Sequence, residues 1–183
     1  MININCRSYY GAIMVLMMLL SILMTGCPPC QFGREIVIPS SDGTDPSITM
    51  AFLLPDGNTV SVSADSPVST VVVPGGGTVL VSASAQDDEG IQDAQIWAAS
   101  ITWTTDPVTG ITTQSGPGLL GSPTASSRDS DGPGQEGCTA RVALQTLEVR
   151  KTSRGGVSYE VHARGVNFGG GTVSTPLVRL EAQ

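Results

Sequence analysis

From Ile48 onward the chain alternates. Ile48, Met50, Phe52 and Leu54 fall on every second position, the period of a strand with one buried face, and Pro55-Asp56-Gly57-Asn58 closes the run with turn chemistry before Val60 and Val62 begin a return strand. Ser69 to Val73 is β-branched and stops at Pro74-Gly75-Gly76-Gly77. Thr78 to Ala85 sets Val79, Val81, Ala83 and Ala85 against Leu80, Ser82 and Ser84, and Gln86 to Ile91 reads as a turn. Asp93 to Thr105 places Trp97, Ala99, Ile101 and Trp103 on one face. A tryptophan in mid-strand is expected to pin the core. Cys138 to Val149 resumes the pattern. Val157, Tyr159, Val161 and Ala163 then alternate with Ser158, Glu160, His162 and Arg164. Gly169 to Gly171 turns the chain into a last strand, Thr172 to Glu181, where Pro176 suits an edge or a bulge. Past residue 26 no stretch keeps a 3.6-residue period, so an all-β chain of seven to nine short strands packed as an antiparallel sandwich is expected over 47–183.

Two stretches break the alternation. Pro28 to Pro46 is rich in Pro, Ser, Gly and Asp, with one apolar patch at Ile36 to Ile38, and 27–46 is read as a flexible tether. Asp106 to Gly137 holds little to bury apart from Leu119-Leu120. A loop of that length is either functional or disordered, and its composition favours disorder.

The amino terminus differs in kind. Ala12 to Met24 is apolar except for Ser21, and at about 1.5 Å per residue it forms a helix near 20 Å, short of the roughly 30 Å bilayer core. Arg7 precedes it, and Pro28-Pro29 follows. This is the layout of a secretory signal, with an uncleaved anchor as the alternative. The ending Thr25-Gly26-Cys27 resembles the lipobox of bacterial lipoprotein precursors. That resemblance implies cleavage after residue 26, acylation of Cys27 (palmitate among its acyl chains) and anchoring in a membrane outside the cytoplasm. With Pro28 and no aspartate after Cys27, the outer membrane or cell surface is the expected location in a cell with two membranes.

Removal of the leader takes Arg7 with it and leaves 157 residues, one domain's worth, with eight basic residues against 16 acidic ones and a net charge of −8. Such a surface excludes nucleic acid as a partner and excludes electrostatic adhesion to anionic lipid. The expected partners are the membrane, through the lipid, and an envelope protein or glycan. Of the four cysteines, Cys6 leaves with the leader and Cys27 takes lipid. Cys30 and Cys138 either bridge, stapling the arm to the domain, or stand apart, with Cys138 as a small buried apolar residue.

Two passages are similar to bacterial immunoglobulin-like surface modules: Val79 to Ile91, a strand ending in small residues before an Asp-containing Gly-Ile turn, and Tyr159-Glu160-Val161-His162-Ala163 followed by Asn167-Phe168-Gly169 and a final strand. The resemblance covers roughly 75–183 and implies a two-sheet sandwich. At Arg164-Gly165-Val166 the chain departs from the family's Ala-x-Asp pattern.

No constellation for catalysis stands out. Gly-x-Ser-x-Gly, His-Glu-x-x-His and phosphate-binding loops are absent, and the glycine runs at 75–77 and 169–171 lead into no helix. His162, the single histidine, belongs to a solvated strand face between Glu160 and Arg164. No cofactor and no metal are expected. Asp87, Asp88, Glu89 and Asp93 are the candidates for calcium, as hard oxygen ligands, although acids in such a turn also simply cap and solvate it; Asp129 and Asp131 are weaker candidates still. Trp97 and Trp103 are read as core, with a carbohydrate-binding face as the alternative. The resulting expectation is a non-catalytic, lipid-anchored binding or structural module; the other reading is an accessory or inhibitor subunit of a secreted enzyme.

Overall fold

The computed structural model describes residues 30–39, 43–118 and 121–183. The leader and Cys27 lie outside the described residues. Thirteen strands are present among those described: β1 (Glu35–Val37), β2 (Ser47–Leu53), β3 (Thr59–Ser63), β4 (Thr70–Val73), β5 (Gly77–Gln86), β6 (Ile91–Thr105), β7 (Thr112–Ser115), β8 (Ala125–Arg128), β9 (Glu136–Cys138), β10 (Ala140–Thr152), β11 (Gly155–Asn167), β12 (Thr172–Ser174) and β13 (Val178–Ala182). The expectation of seven to nine short strands undercounts them and misses the length of β6, β10 and β11, each 13 to 15 residues long.

The strands form two layers. One runs β3-β2-β5-β10, and the other is built on β6-β11-β13-β4; β10 passes into β11 through a tight hairpin that joins the layers at Thr152 and Gly155. All pairings are antiparallel except β13 with β4. In an immunoglobulin sandwich strands A, B and E share one sheet while C, F and G share the other. Here β2, β5 and β10 take the first set of places, and β6, β11 and β13 the second. The fold is an immunoglobulin-like antiparallel β-sandwich.

The core lies between the layers. Met50, Phe52 and Val62 meet Val79, Val81 and Ala83 from one sheet, and Ile96, Val161, Ala163 and Leu180 close it from the other. The hairpin at Pro55–Asn58 forms as the sequence predicts: Leu54 N–H donates to the Asn58 carbonyl at 2.8 Å, and the Asp56 carboxylate accepts from the Asn58 amide at 3.0 Å. Pro176 does more than sit at an edge. It divides the expected last strand into β12 and β13, both paired with β11.

Two further expectations are corrected. The first is the tether. Cys30 is bonded to Cys138, β1 pairs with β9, Ile38 is 1% exposed, and the Ile38 amide donates to the Gln135 carbonyl at 2.8 Å. Composition alone missed this because it sees too little apolar area in 28–46, whereas the covalent link holds the arm beside its partner and removes most of the entropy of pairing. The second is the loop at 106–137. β7 and β8 both pair with one edge of β6, and the partly buried Arg141–Asp129 ion pair fastens the segment after β8 to β10. The long edge of β6 supplies the hydrogen bonds that this apolar-poor segment needs.

Candidate functional site

A cleft lies on the outer face of the β6-β11 sheet, and the pairing register puts it there. Residues directly opposite in an antiparallel pair share a face. Val161 is opposite Ala98 and Ala163 opposite Ile96, all buried in the core, so the intervening pair, Trp97 opposite His162, points outward. Trp97 is accordingly not the core pin expected from the sequence. Trp103 shares its face and lies opposite Gly156, where any side chain would collide with the indole ring and with the Arg150 carbonyl.

The cleft holds about 620 Å³. Its floor crosses three strands, with Trp97 and Ala99 on β6, Glu160, His162 and Arg164 on β11, and Thr172 and Ser174 on β12. Its walls are Pro117 and Gly118 on one side and Leu177, 53% exposed, on the other. The wall at Pro117 follows from an interruption in edge pairing: β8 pairs with residues 93–96 of β6 and β7 with 102–105, so between them the chain leaves the edge. Gly116 makes the turn with φ of 96° and lies against the Ser100 carbonyl, where a β-carbon would not fit.

Trp97 is held in place by a chain of side-chain hydrogen bonds along its own strand. The indole N–H donates to Gln95 Oε1 at 3.1 Å, Gln95 Nε2 donates to Asp93 Oδ2 at 2.8 Å, and the other Asp93 oxygen accepts from Ser126 Oγ of β8 at 2.7 Å. On its face the indole stacks with the His162 imidazole, centroids 5.9 Å apart and planes within 7°. Glu160 and Arg164 flank that imidazole on the same strand face, and neither side chain is in an ion pair among the described residues.

Partial burial lowers the His162 pKa below its ordinary 6.5, and the Arg164 charge lowers it further. The unfolded chain therefore takes up a proton near pH 6.5 that the folded protein accepts only at lower pH. His162 costs no stability above that pH and destabilises progressively below it. In a proton NMR titration the His162 ring signals are expected to move with a midpoint below 6.5, and Arg164→Ala to raise that midpoint; a midpoint at or above 6.5 in the unmodified protein would contradict the stacked, half-buried imidazole.

The calcium candidates are dispersed in function. Asp87 caps the Glu89 amide at 2.8 Å, Glu89 accepts from the Gly43 amide at 2.9 Å, Asp88 is exposed near Arg34, and Asp93 belongs to the tryptophan relay. Among the described residues no three His, Cys, Asp or Glu side chains converge as metal ligands. Asp129 is taken by Arg141, and a side-chain hydrogen bond donated by the Asp131 carboxyl to Asp129, with the repulsion between the two, raises the Asp131 carboxyl above its ordinary range. At the same end, Asn167 is 1% exposed and ties the arm down through Nδ2 to the Thr44 carbonyl at 2.8 Å, while its Oδ1 has no partner among the described residues.

Sequence reasoning placed Glu160, His162 and Arg164 on an outward strand face and left them there as solvated. It missed that Trp97 joins them. The signal was present: the odd-numbered set of β6 contains Asp93 and Gln95, which do not belong in a core, while Ala94, Ile96 and Ala98 do. No protein-family model matches this chain, and none of the curated proteins does.

Proposed function

We propose that this protein is a lipid-anchored module outside the cytoplasm that acts by binding, with the outer face of the β6-β11 sheet as its working surface. The observation that carries the reading is the Cys30–Cys138 disulfide, which spans 108 residues of sequence. Such bridges persist in oxidising compartments, in keeping with a leader that ends at Gly26, just before Cys27. Cys30 stands three positions after Cys27, a reach of at most about 11 Å, so acyl chains on Cys27 would hold the disulfide end of the sandwich against the membrane. Two or more acyl chains make that attachment stable, since each buried methylene contributes about 0.8 kcal/mol. Binding is favoured over catalysis by the surroundings of His162: it stacks on an indole beside the Arg164 guanidinium, and among the described residues no carboxylate, Glu160 included, hydrogen-bonds to it to orient it as a base.

Metabolic labelling with palmitate tests the reading. The protein is expected to take up label and sediment with membranes, and Cys27→Ser to be unlabelled and released. A Cys27→Ser variant that stays in the membrane fraction, or an unlabelled unmodified protein, would overturn the anchored reading.

A further inference from the structure

We infer that the Trp97–His162 cleft is a carbohydrate site that takes a pyranose glycan. The inference rests on the binding role proposed above and names the class of ligand. A pyranose has an unusual distribution of polarity, with a nearly flat face of C–H bonds and a rim of hydroxyls. The cleft matches it part for part. Trp97 is a partly exposed indole on the outer side of the sheet, and its own N–H is already satisfied by Gln95, so the ring is available as a surface and makes no polar demand on a ligand. Around it stand hydrogen-bonding groups of both kinds. The Glu160 carboxylate accepts, the Arg164 guanidinium donates, and the Thr172 and Ser174 hydroxyls do either. Pro117 and Leu177 supply the apolar walls that exclude water from the contact.

Rigidity is the second argument. A solvated tryptophan on a strand needs no fixed rotamer, yet three hydrogen bonds through Gln95, Asp93 and Ser126 hold this one, and Asp93, a carboxylate only 5% exposed, is spent on the purpose. Desolvating a carboxylate to orient a surface ring is costly, and it is what preorganisation of a binding platform requires. His162 fixes one side of the ring by stacking. Glu160 and Arg164, two residues either side of His162 and in no ion pair among the described residues, complete a polar frame. A volume of about 620 Å³ leaves room for a short oligosaccharide.

The test uses the full-length protein, purified from membranes in a detergent without a sugar headgroup. The chain has two tryptophans, so in the Trp103→Phe variant the fluorescence reports Trp97 alone. That variant is titrated with cellotetraose, chitotetraose, mannotetraose and the N-acetylglucosaminyl-N-acetylmuramic acid disaccharide, and the unmodified protein is followed by calorimetry. The expected result is a saturable shift of Trp97 emission with at least one of these sugars, with affinity reduced at least tenfold by Trp97→Ala and several-fold by Glu160→Gln, which preserves the strand. Binding that survives Trp97→Ala within twofold would overturn the assignment. Silence across all four sugars would overturn it too, and if the protein is still palmitate-labelled and membrane-bound the anchored reading survives that failure. A protein that binds sugar through Trp97 but carries no lipid would support the site and overturn the anchor.

Discussion

Replacing both Cys30 and Cys138 by serine is expected to cost about 4 kcal/mol of stability, within the 2–5 kcal/mol typical of native bridges. The bridge closes 108 residues of sequence, the long-loop limit at which restriction of the unfolded chain matters most. In a domain of this size each kcal/mol lowers the melting temperature by roughly 2–4 °C, so thermal melts should separate variant and parent by about 8–16 °C. The loss also has a local part. β1 pairs with β9 over only three residues, and a pairing that short is not stable by itself. Without the bridge the arm is expected to detach, and hydrogen exchange at the Ile38 amide should lose its protection, because the Gln135 carbonyl that accepts from it lies next to β9. Strong reductant added to the parent protein should reproduce the variant. A melting temperature within 2 °C of the parent would mean that the arm docks through its side chains and that the bridge is incidental.

The alternation of Ile48 to Leu54, of Val79 to Ala85 and of Val157 to Ala163 was enough to predict an all-β sandwich, because a period of two has one structural meaning when a single face is buried. What the pattern could not supply was pairing. Trp97 illustrates the point: within β6 both faces carry apolar residues, Asp93 and Gln95 on the tryptophan's face are a polar signal, and the register against β11 shows that Ile96 and Ala98 go in and the tryptophan goes out. The pairing of Trp97 with His162 was invisible for the same reason, since the two stand 65 positions apart and meet only through that register. The arm and the loop at 106–137 were misread from the opposite cause. Their composition argues against self-supporting structure, and it is correct that they do not support themselves: one is held by a disulfide and the other by the edge of β6.

Phe52→Ala should destabilise the domain by about 3–5 kcal/mol. Phe52 is fully buried and is the largest side chain so enclosed among the described residues. It lies in register with Val60 of β3 and Val81 of β5, under the centre of one sheet. The rest of the core is mostly Val, Ala and Ile: Ala83, Ala85, Ala94, Ala98, Ala143 and Ala163 all face inward. Small and β-branched side chains have little rotamer freedom with which to fill a vacated ring, so the cavity should remain and the cost should lie toward the upper end. Denaturant unfolding measures it, and a loss below 1 kcal/mol would show that the two sheets close over the gap. The same variant separates stability from recognition. The cleft is on the outer face of the opposite sheet, and Phe52 touches none of the groups that orient Trp97, so below its lowered melting temperature Phe52→Ala should bind glycan as the parent does. Trp97→Ala should show the reverse, a domain that melts close to the parent and has lost its ligand, because that ring sits outside the core.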